Sequence, residues 1–230
     1  MNIGVNLEMN LGSVARRRPS TATTHPIPLI GIDIGQKHDP TAICVAELVY
    51  RKPDDPERTR REAHFMVRHL ERLPLRTPYP EIARRLGEIC QRVAEQSGGR
   101  PDIYVDATGV GTPVVDILKS SSRDMRFVWA VYFTHGDQRL EKREERKVSL
   151  GKAFLVSRVQ ALLQCRQLHL PNTAEARALA QELLDYEIRV DENANDRYGA
   201  FRVGTHDDLV TALGLAVQKE PTVSVYPRGD

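Results

Sequence analysis

Leu29-Ile30-Gly31-Ile32-Asp33-Ile34-Gly35 is an apolar run with one carboxylate in its middle, followed by Gln36-Lys37-His38-Asp39-Pro40-Thr41-Ala42. A strand covered on both faces of its sheet reads as continuous Val, Ile and Leu, and this stretch reads that way except at Asp33. A charge left unpaired there costs several kcal/mol, so it is expected to meet a metal, a cation or backbone donors. Capping of a turn at the strand end is the plain alternative. The rest of the chain bears on the choice, because it supplies further acids at strand and helix ends.

The 230 residues allow one domain of roughly 200 residues with an extension, enough for a substantial core. Net charge is only +2, yet the 33 Lys and Arg are gathered at Arg16-Arg17-Arg18, Arg58 to Arg61, Arg84-Arg85 and Lys142 to Lys147. Any one such run is ordinary solvated surface; several on a balanced chain fit a polyanionic partner. Cys44, Cys90 and Cys165 fall on apolar positions and form no CxxC or Cys/His spacing, so zinc and disulfides are disfavoured and buried, reduced thiols are expected. No run approaches the roughly 20 apolar residues of a membrane span, and no signal peptide is visible. The expectation is a soluble cytoplasmic protein, in the host cytoplasm if viral.

Residues 1–28 lack periodicity and end in a stretch with Pro26 and Pro28, which reads as a linker or arm before an ordered domain at 29–220 and a tail at 221–230. Thr41 to Tyr50 and Ala63 to Leu70 read as strands joined to the first by short polar loops, hence antiparallel. Tyr79 to Gln96 is a helix with Ile82, Leu86, Ile89, Cys90 and Val93 on one stripe, stopped by Ser97-Gly98-Gly99. Asp102 to Asp106 is a short buried strand and Thr112 to Lys119 a helix, with another strand at Phe127 to Tyr132. Val148 to Cys165 reads as one helix, and Leu168 to Pro171 as a brief extended piece. Thr173 caps a helix to about Tyr186. Glu187 to Val190 and Tyr198 to Val203 read as a hairpin, and Asp207 to Gln218 as a final amphipathic helix. Hairpin-linked strands followed by alternating strands and helices predict an α/β domain, one mixed central sheet with helices on both faces.

Asp106 copies the situation of Asp33, an acid ending an apolar strand before a glycine-bearing turn, and ligands bind at that edge of open α/β sheets. Asp207-Asp208 opens the last helix, where acids also serve as caps and suit the dipole. Carboxylates converging on one edge repel, and a divalent cation is the natural compensation. An all-oxygen set favours Mg²⁺ or Mn²⁺ over zinc. Two such ions about 3.5–4 Å apart suit in-line phosphodiester displacement.

The segments IGIDIG…HDPTA, YVDATGVG, ERKVSLGKAFLVSRVQALLQCRQLHLP and THDDLVTALGLA resemble the nuclease domain of the large terminase subunit of tailed bacteriophages, in the RNase H-like superfamily. The resemblance covers about residues 29–219. It implies an RNase H-like fold and a metal-dependent endonuclease that cuts concatemeric double-stranded DNA with little sequence preference, using two Mg²⁺ or Mn²⁺ ions. By position, Asp33, Asp106 and Asp208 would hold the metals, with Asp207 a further ligand or the helix cap. The hairpin at about Glu187 to Val203 would lie beside the active site, with Arg189, Arg197 and Arg202 as phosphate contacts, or as a solvated face. Lys147 and Lys152, near the start of their helix, are weaker candidates for DNA contact. Asp39 reads as a turn residue, and His206 as structural or as an aid to proton transfer.

Complete large terminases carry an ATPase motor, and no G-x-x-x-x-G-K-[ST] phosphate loop occurs in this sequence. ATP-driven translocation is therefore not expected of these residues. The resemblance implies a terminase ATPase domain, small subunit and portal as assembly partners. Rival readings are another RNase H-like nuclease of the resolvase or transposase kind, an actin- or sugar-kinase-like nucleotide binder, and a non-catalytic DNA-binding packaging module.

Overall fold

Alternation along the first strand sets the architecture. In β1 (Ile27–Asp33), Ile30 and Ile32 enter one hydrophobic core while Leu29 enters a second on the opposite face, so both faces are covered. The computed structural model describes residues 25–35, 39–53, 61–109, 111–121, 127–190, 196–199 and 206–221. Strands β2 (Ala42–Arg51) and β3 (Glu62–Arg72) follow antiparallel, as the short loops predict. Helix α1 (Tyr79–Ser97) ends at Gly98, whose φ of 70° is the left-handed cap expected of the Ser-Gly-Gly stop. Then come β4 (Asp102–Asp106), α2 (Gly111–Ser121) and β5 (Val128–Thr134), the strands parallel to β1 and to each other.

Two strands depart from the sequence reading. Arg139–Lys142 forms β6, and Lys147–Gly151 forms β7, which pairs parallel with β5 and antiparallel with β6. The single helix expected over Val148 to Cys165 is therefore β7 followed at once by α3 (Lys152–Gln164), with Gly151 as the junction. Val148 and Leu150 are buried as alternate residues of a strand, and a Cβ on Gly151 would lie 2.1 Å from the Gly136 carbonyl oxygen. Cys165, the C-cap of α3, is exposed, whereas Cys44 and Cys90 are buried as expected. A two-residue β8 (Leu168–His169) precedes α4 (Ala174–Asp185), capped as predicted by Thr173, whose hydroxyl accepts from the Ala176 amide at 3.2 Å.

The hairpin β9 (Glu187–Val190) and β10 (Asp196–Gly199) pairs Arg189 with Arg197, and α5 (Asp208–Val217) closes the described order. The main sheet runs β6-β7-β5-β4-β1-β2-β3-β8. Residues of α1 and α2 pack on one face; α3, α4 and α5 cover the other. Among the described residues no helix is long and apolar enough to cross a membrane.

Helix α5 is buried all round except at Thr211, not amphipathic as its spacing predicts, because it lies between the sheet and α3 and α4. Its backbone rests on β1 at Gly31, where a Cβ would fall 2.0 Å from the Ala212 carbonyl oxygen. That contact explains the glycine inside an otherwise bulky run, since only a hydrogen fits. The first turn of α5 is thereby carried toward the carboxyl ends of β1 and β4.

Candidate metal centre

Period two decides where the strand acids point. Asp33 shares the parity of Leu29 and Gly31, and therefore the α5 face of the sheet. Asp106 shares the parity of Tyr104, whose side chain belongs to the same core. Ile32 and Val105 are register partners on adjacent parallel strands, so Asp33 and Asp106 stand side by side one residue further on. The turn after β4 fixes Asp106: its Oδ1 accepts from the Thr108 amide at 2.8 Å. The Thr108 hydroxyl in turn accepts from the Phe133 amide at 2.8 Å, tying that turn to β5.

The first turn of α5 supplies the other acids. Asp207 occupies the N-cap position but its side chain makes no cap hydrogen bond. The capping is done instead by Glu182 of α4, whose Oε2 accepts from the Leu209 and Val210 amides at 3.0 and 3.2 Å. Capping therefore does not account for the Asp207-Asp208 doublet. Asp208 is 3% exposed, and its Oδ2 accepts no hydrogen bond. That oxygen lies 3.4 Å from Arg72 Nε and 3.9 Å from His206 Nδ1. Arg72 also pairs through Nη2 with Glu182 Oε1.

Arg72 and Glu182 were not among the residues the sequence singles out. Glu182 carries a signal in retrospect: it falls three residues after Leu179 on the buried stripe of α4, where an acid is out of place. Arg72 ends β3 with the parity of Leu70, which points it to the α5 face, though a strand-end arginine alone says little.

Among the described residues, acids outnumber cations here. Burial raises the Asp33 pKa well above the ordinary carboxylate value, and the charges of Asp106, Asp208 and Asp207 add to that, with Lys152 opposing. Burial likewise raises Asp208 to about 6; Arg72 and His206 oppose the rise, while Asp207 and Asp39 add to it. The three acids whose charges act on Asp33 are Asp106, Asp208 and Asp207.

Asp39 lies in a bend, as a turn residue should, but its position also has chemical use. One ligand atom each from Asp39, His206 and Asp208 lie within 4.8 Å of one another. Asp208 thus belongs both to this group and to the set of acids around Asp33. Lys152 opens α3 beside Asp33, its ammonium 5.4 Å from the centre of the Phe133 ring. Lys147 begins β7 rather than lying near a helix start, and its ammonium pairs with Glu145 at 2.8 Å. The backbones of Arg189 and Arg197 are cross-strand partners in the hairpin; their side chains, and Arg202 as a whole, lie outside the described residues.

The donor set fits a hard divalent cation. A buried carboxylate oxygen without a hydrogen-bond donor is a costly arrangement that a cation would relieve. Neighbouring carboxylates with one imidazole and no thiolate suit Mg²⁺ or Mn²⁺ better than zinc.

Comparison with known proteins places the chain in a family. The family model of the terminase RNaseH-like domain matches residues 30–220. The large terminase nuclease from thermophilic phage G20c, in a crystal structure with bound magnesium, superposes with a TM-score of 0.58 at 20% identity, covering 86% of this chain and 83% of that one. The large terminase nuclease domain of Thermus phage P74-26 gives 0.52 at 19% identity, covering 83% and 78%. The human cytomegalovirus terminase nuclease domain also gives 0.52, at 13% identity over 86% and 85%. No curated protein sequence matches this chain. The mixed eight-stranded sheet with helices on both faces is the RNase H-like fold of terminase nuclease domains. The chain belongs to the terminase RNaseH-like domain family.

Proposed function

We propose that this chain is a metal-dependent DNA endonuclease of the terminase type, with Asp33, Asp106 and Asp208 as principal metal ligands and Asp207 in support. One observation carries the reading. Asp33 and Asp106 stand on adjacent strands at the carboxyl edge of the sheet, near enough to Asp207 and Asp208 of the α5 start for the charges of these acids to act on Asp33, and the buried Asp208 has an oxygen without a hydrogen-bond donor among the described residues. Two bound divalent ions would lower the pKa of an attacking water and neutralise the leaving 3′ oxygen. The chain's own residues bind and orient. Thr108 fixes the Asp106 carboxylate, and Glu182 relieves the doublet of capping. Asp39 and His206 add to the ligand supply around Asp208.

The substrate in this reading is double-stranded DNA, contacted at phosphates and so with little sequence preference. Lys152 stands beside the acids, where a phosphate would approach. The β9–β10 hairpin borders the DNA path in this reading, with Arg189 and Arg197 of its strands as phosphate contacts; Arg202, which follows it in sequence, is a further candidate. The terminase motor, small subunit and portal are the assembly partners, and the host cytoplasm the setting. Magnesium and Mn²⁺ carried by related nuclease domains support the choice of ion.

The test is plasmid cleavage by the purified chain. Mn²⁺ should give nicked and linear DNA, and a chelator should abolish both. A chain that binds DNA but never cuts it with either ion would instead be a packaging module. DNA affinity should fall steeply as salt rises, because phosphate contacts release counterions.

A further inference from the structure

Glu182 stands on α4, outside every acidic motif of the sequence, yet it holds the start of the helix that carries Asp207 and Asp208. It is 6% exposed; one of its oxygens is hydrogen-bonded and the other is ion-paired. Oε2 takes the Leu209 and Val210 amides, and Oε1 faces Arg72 Nη2. A buried carboxylate this well matched to a helix N-terminus and a guanidinium is held by geometry on both sides. Arg72 reaches Asp208 with the remaining Nε, at 3.4 Å, too far for a good hydrogen bond.

The alternative wiring is close at hand. Asp207 already sits at the N-cap position, where an aspartate ordinarily accepts from the second or third amide of its helix. Arg72, freed from Glu182, would keep Asp208 as its carboxylate partner. The second change would commit the Asp208 carboxylate to a protein donor.

We propose that Glu182 is a positioning residue for Asp208. By capping α5 from a neighbouring helix and anchoring Arg72, it leaves the Asp208 carboxylate available to a divalent cation. The inference rests on the metal-dependent reading above and extends it to residues on α4 and β3 that touch no metal.

The experiment uses the full chain, with Mn²⁺ binding followed by calorimetry well below the unfolding temperature and plasmid nicking followed across Mn²⁺ concentrations. Glu182→Ala should weaken Mn²⁺ binding about tenfold or more, the range seen when a residue that orients a metal ligand is lost. Nicking should shift to correspondingly higher Mn²⁺, with the rate at saturation largely kept. Glu182→Gln retains an oxygen for the amides but loses its charge toward Arg72, so its affinity should fall between parent and Glu182→Ala. Should the alanine variant fail to fold, the glutamine variant carries the comparison alone. Parental Mn²⁺ affinity in these variants, with only a lower unfolding temperature, would make Glu182 a cap and nothing more, and overturn the inference. A parent chain that binds no Mn²⁺ overturns the metal reading and this inference together. A parent that binds Mn²⁺ without cutting DNA overturns the nuclease reading alone, and the order of affinities still decides the role of Glu182.

Discussion

The two ends of α5 are built on opposite terms. At its C-terminal end, Arg158 Nε donates to the Val217 carbonyl at 3.2 Å while its guanidinium lies 5.5 Å from the centre of the Phe65 ring. Arg139 pairs with the Gln218 side chain, and Lys219 with Asp102 at 2.9 Å. Cations there meet a helix C-terminus, the favourable sense of the dipole. At the N-terminal end, the charges of Asp207 and Asp208 act on Asp33 together with that of Asp106, and among the described residues the buried Asp208 Oδ2 and Glu182 Oε1 accept no hydrogen bond. The same helix thus ends among cations at one terminus and begins among acids at the other. Unrelieved charge of that kind is characteristic of functional sites.

That contrast breaks most sharply under substitution of the strand acids. Asp33→Asn or Asp106→Asn should lower cleavage about a thousandfold or more, roughly 4 kcal/mol of activation free energy, with the circular dichroism spectrum unchanged. Plasmid cutting at the parental rate by either variant would remove that acid from the site.

Stability should respond in the opposite direction. A carboxyl raised to about 6 by burial contributes stability at low pH that is lost as pH rises from the ordinary value of 3.8 through about 6. Without metal, Asp208→Asn should therefore be more stable than the parent at pH 7 by on the order of 2–3 kcal/mol, with the gain vanishing near pH 4. Denaturant titrations at both pH values check this. Mn²⁺ should stabilise the parent more at pH 7 than at pH 5, since its ligands must be deprotonated.

At the other end of α5 the effects should be smaller and confined to stability. Arg158→Met should cost about 1–2 kcal/mol, through the lost bond to a helix-end carbonyl, and leave Mn²⁺ affinity unchanged. Lys219→Ala removes a partly exposed ion pair and should cost less than about 1 kcal/mol. A change in metal affinity from either would mean that the two ends are coupled through the helix.

The site was legible in the sequence where a residue breaks its local pattern. Asp33 and Asp106 each end an apolar strand, and period two is enough to put both on the α5 face. The doublet was visible but ambiguous, because a helix N-terminus accounts for acids equally well. Only the contact with Glu182, 27 positions before Leu209, removes that ambiguity, and no local rule announces it. Asp39 reads as a turn residue, and nothing in its local sequence announces the proximity of its carboxylate to Asp208.

The fold was legible on the same terms. Gly-Gly after α1 and Thr173 before α4 are local signals, and both hold. β7 was missed because its five residues run into α3 without a break, so the helical spacing of Leu155, Val159 and Leu162 extends backward over Val148 and Leu150. The burial of α5 around its circumference needs three neighbours that its own ten residues cannot reveal.

The central claim is that acids distant in sequence share divalent cations at the carboxyl edge of the sheet. Anomalous scattering from a crystal soaked in Mn²⁺ tests it most directly. Mn²⁺ peaks should appear with Asp33, Asp106 and Asp208 as oxygen ligands and should be lost in Asp33→Asn. Full soaking with no peak against these carboxylates, or a peak that survives the substitution unchanged, would contradict it.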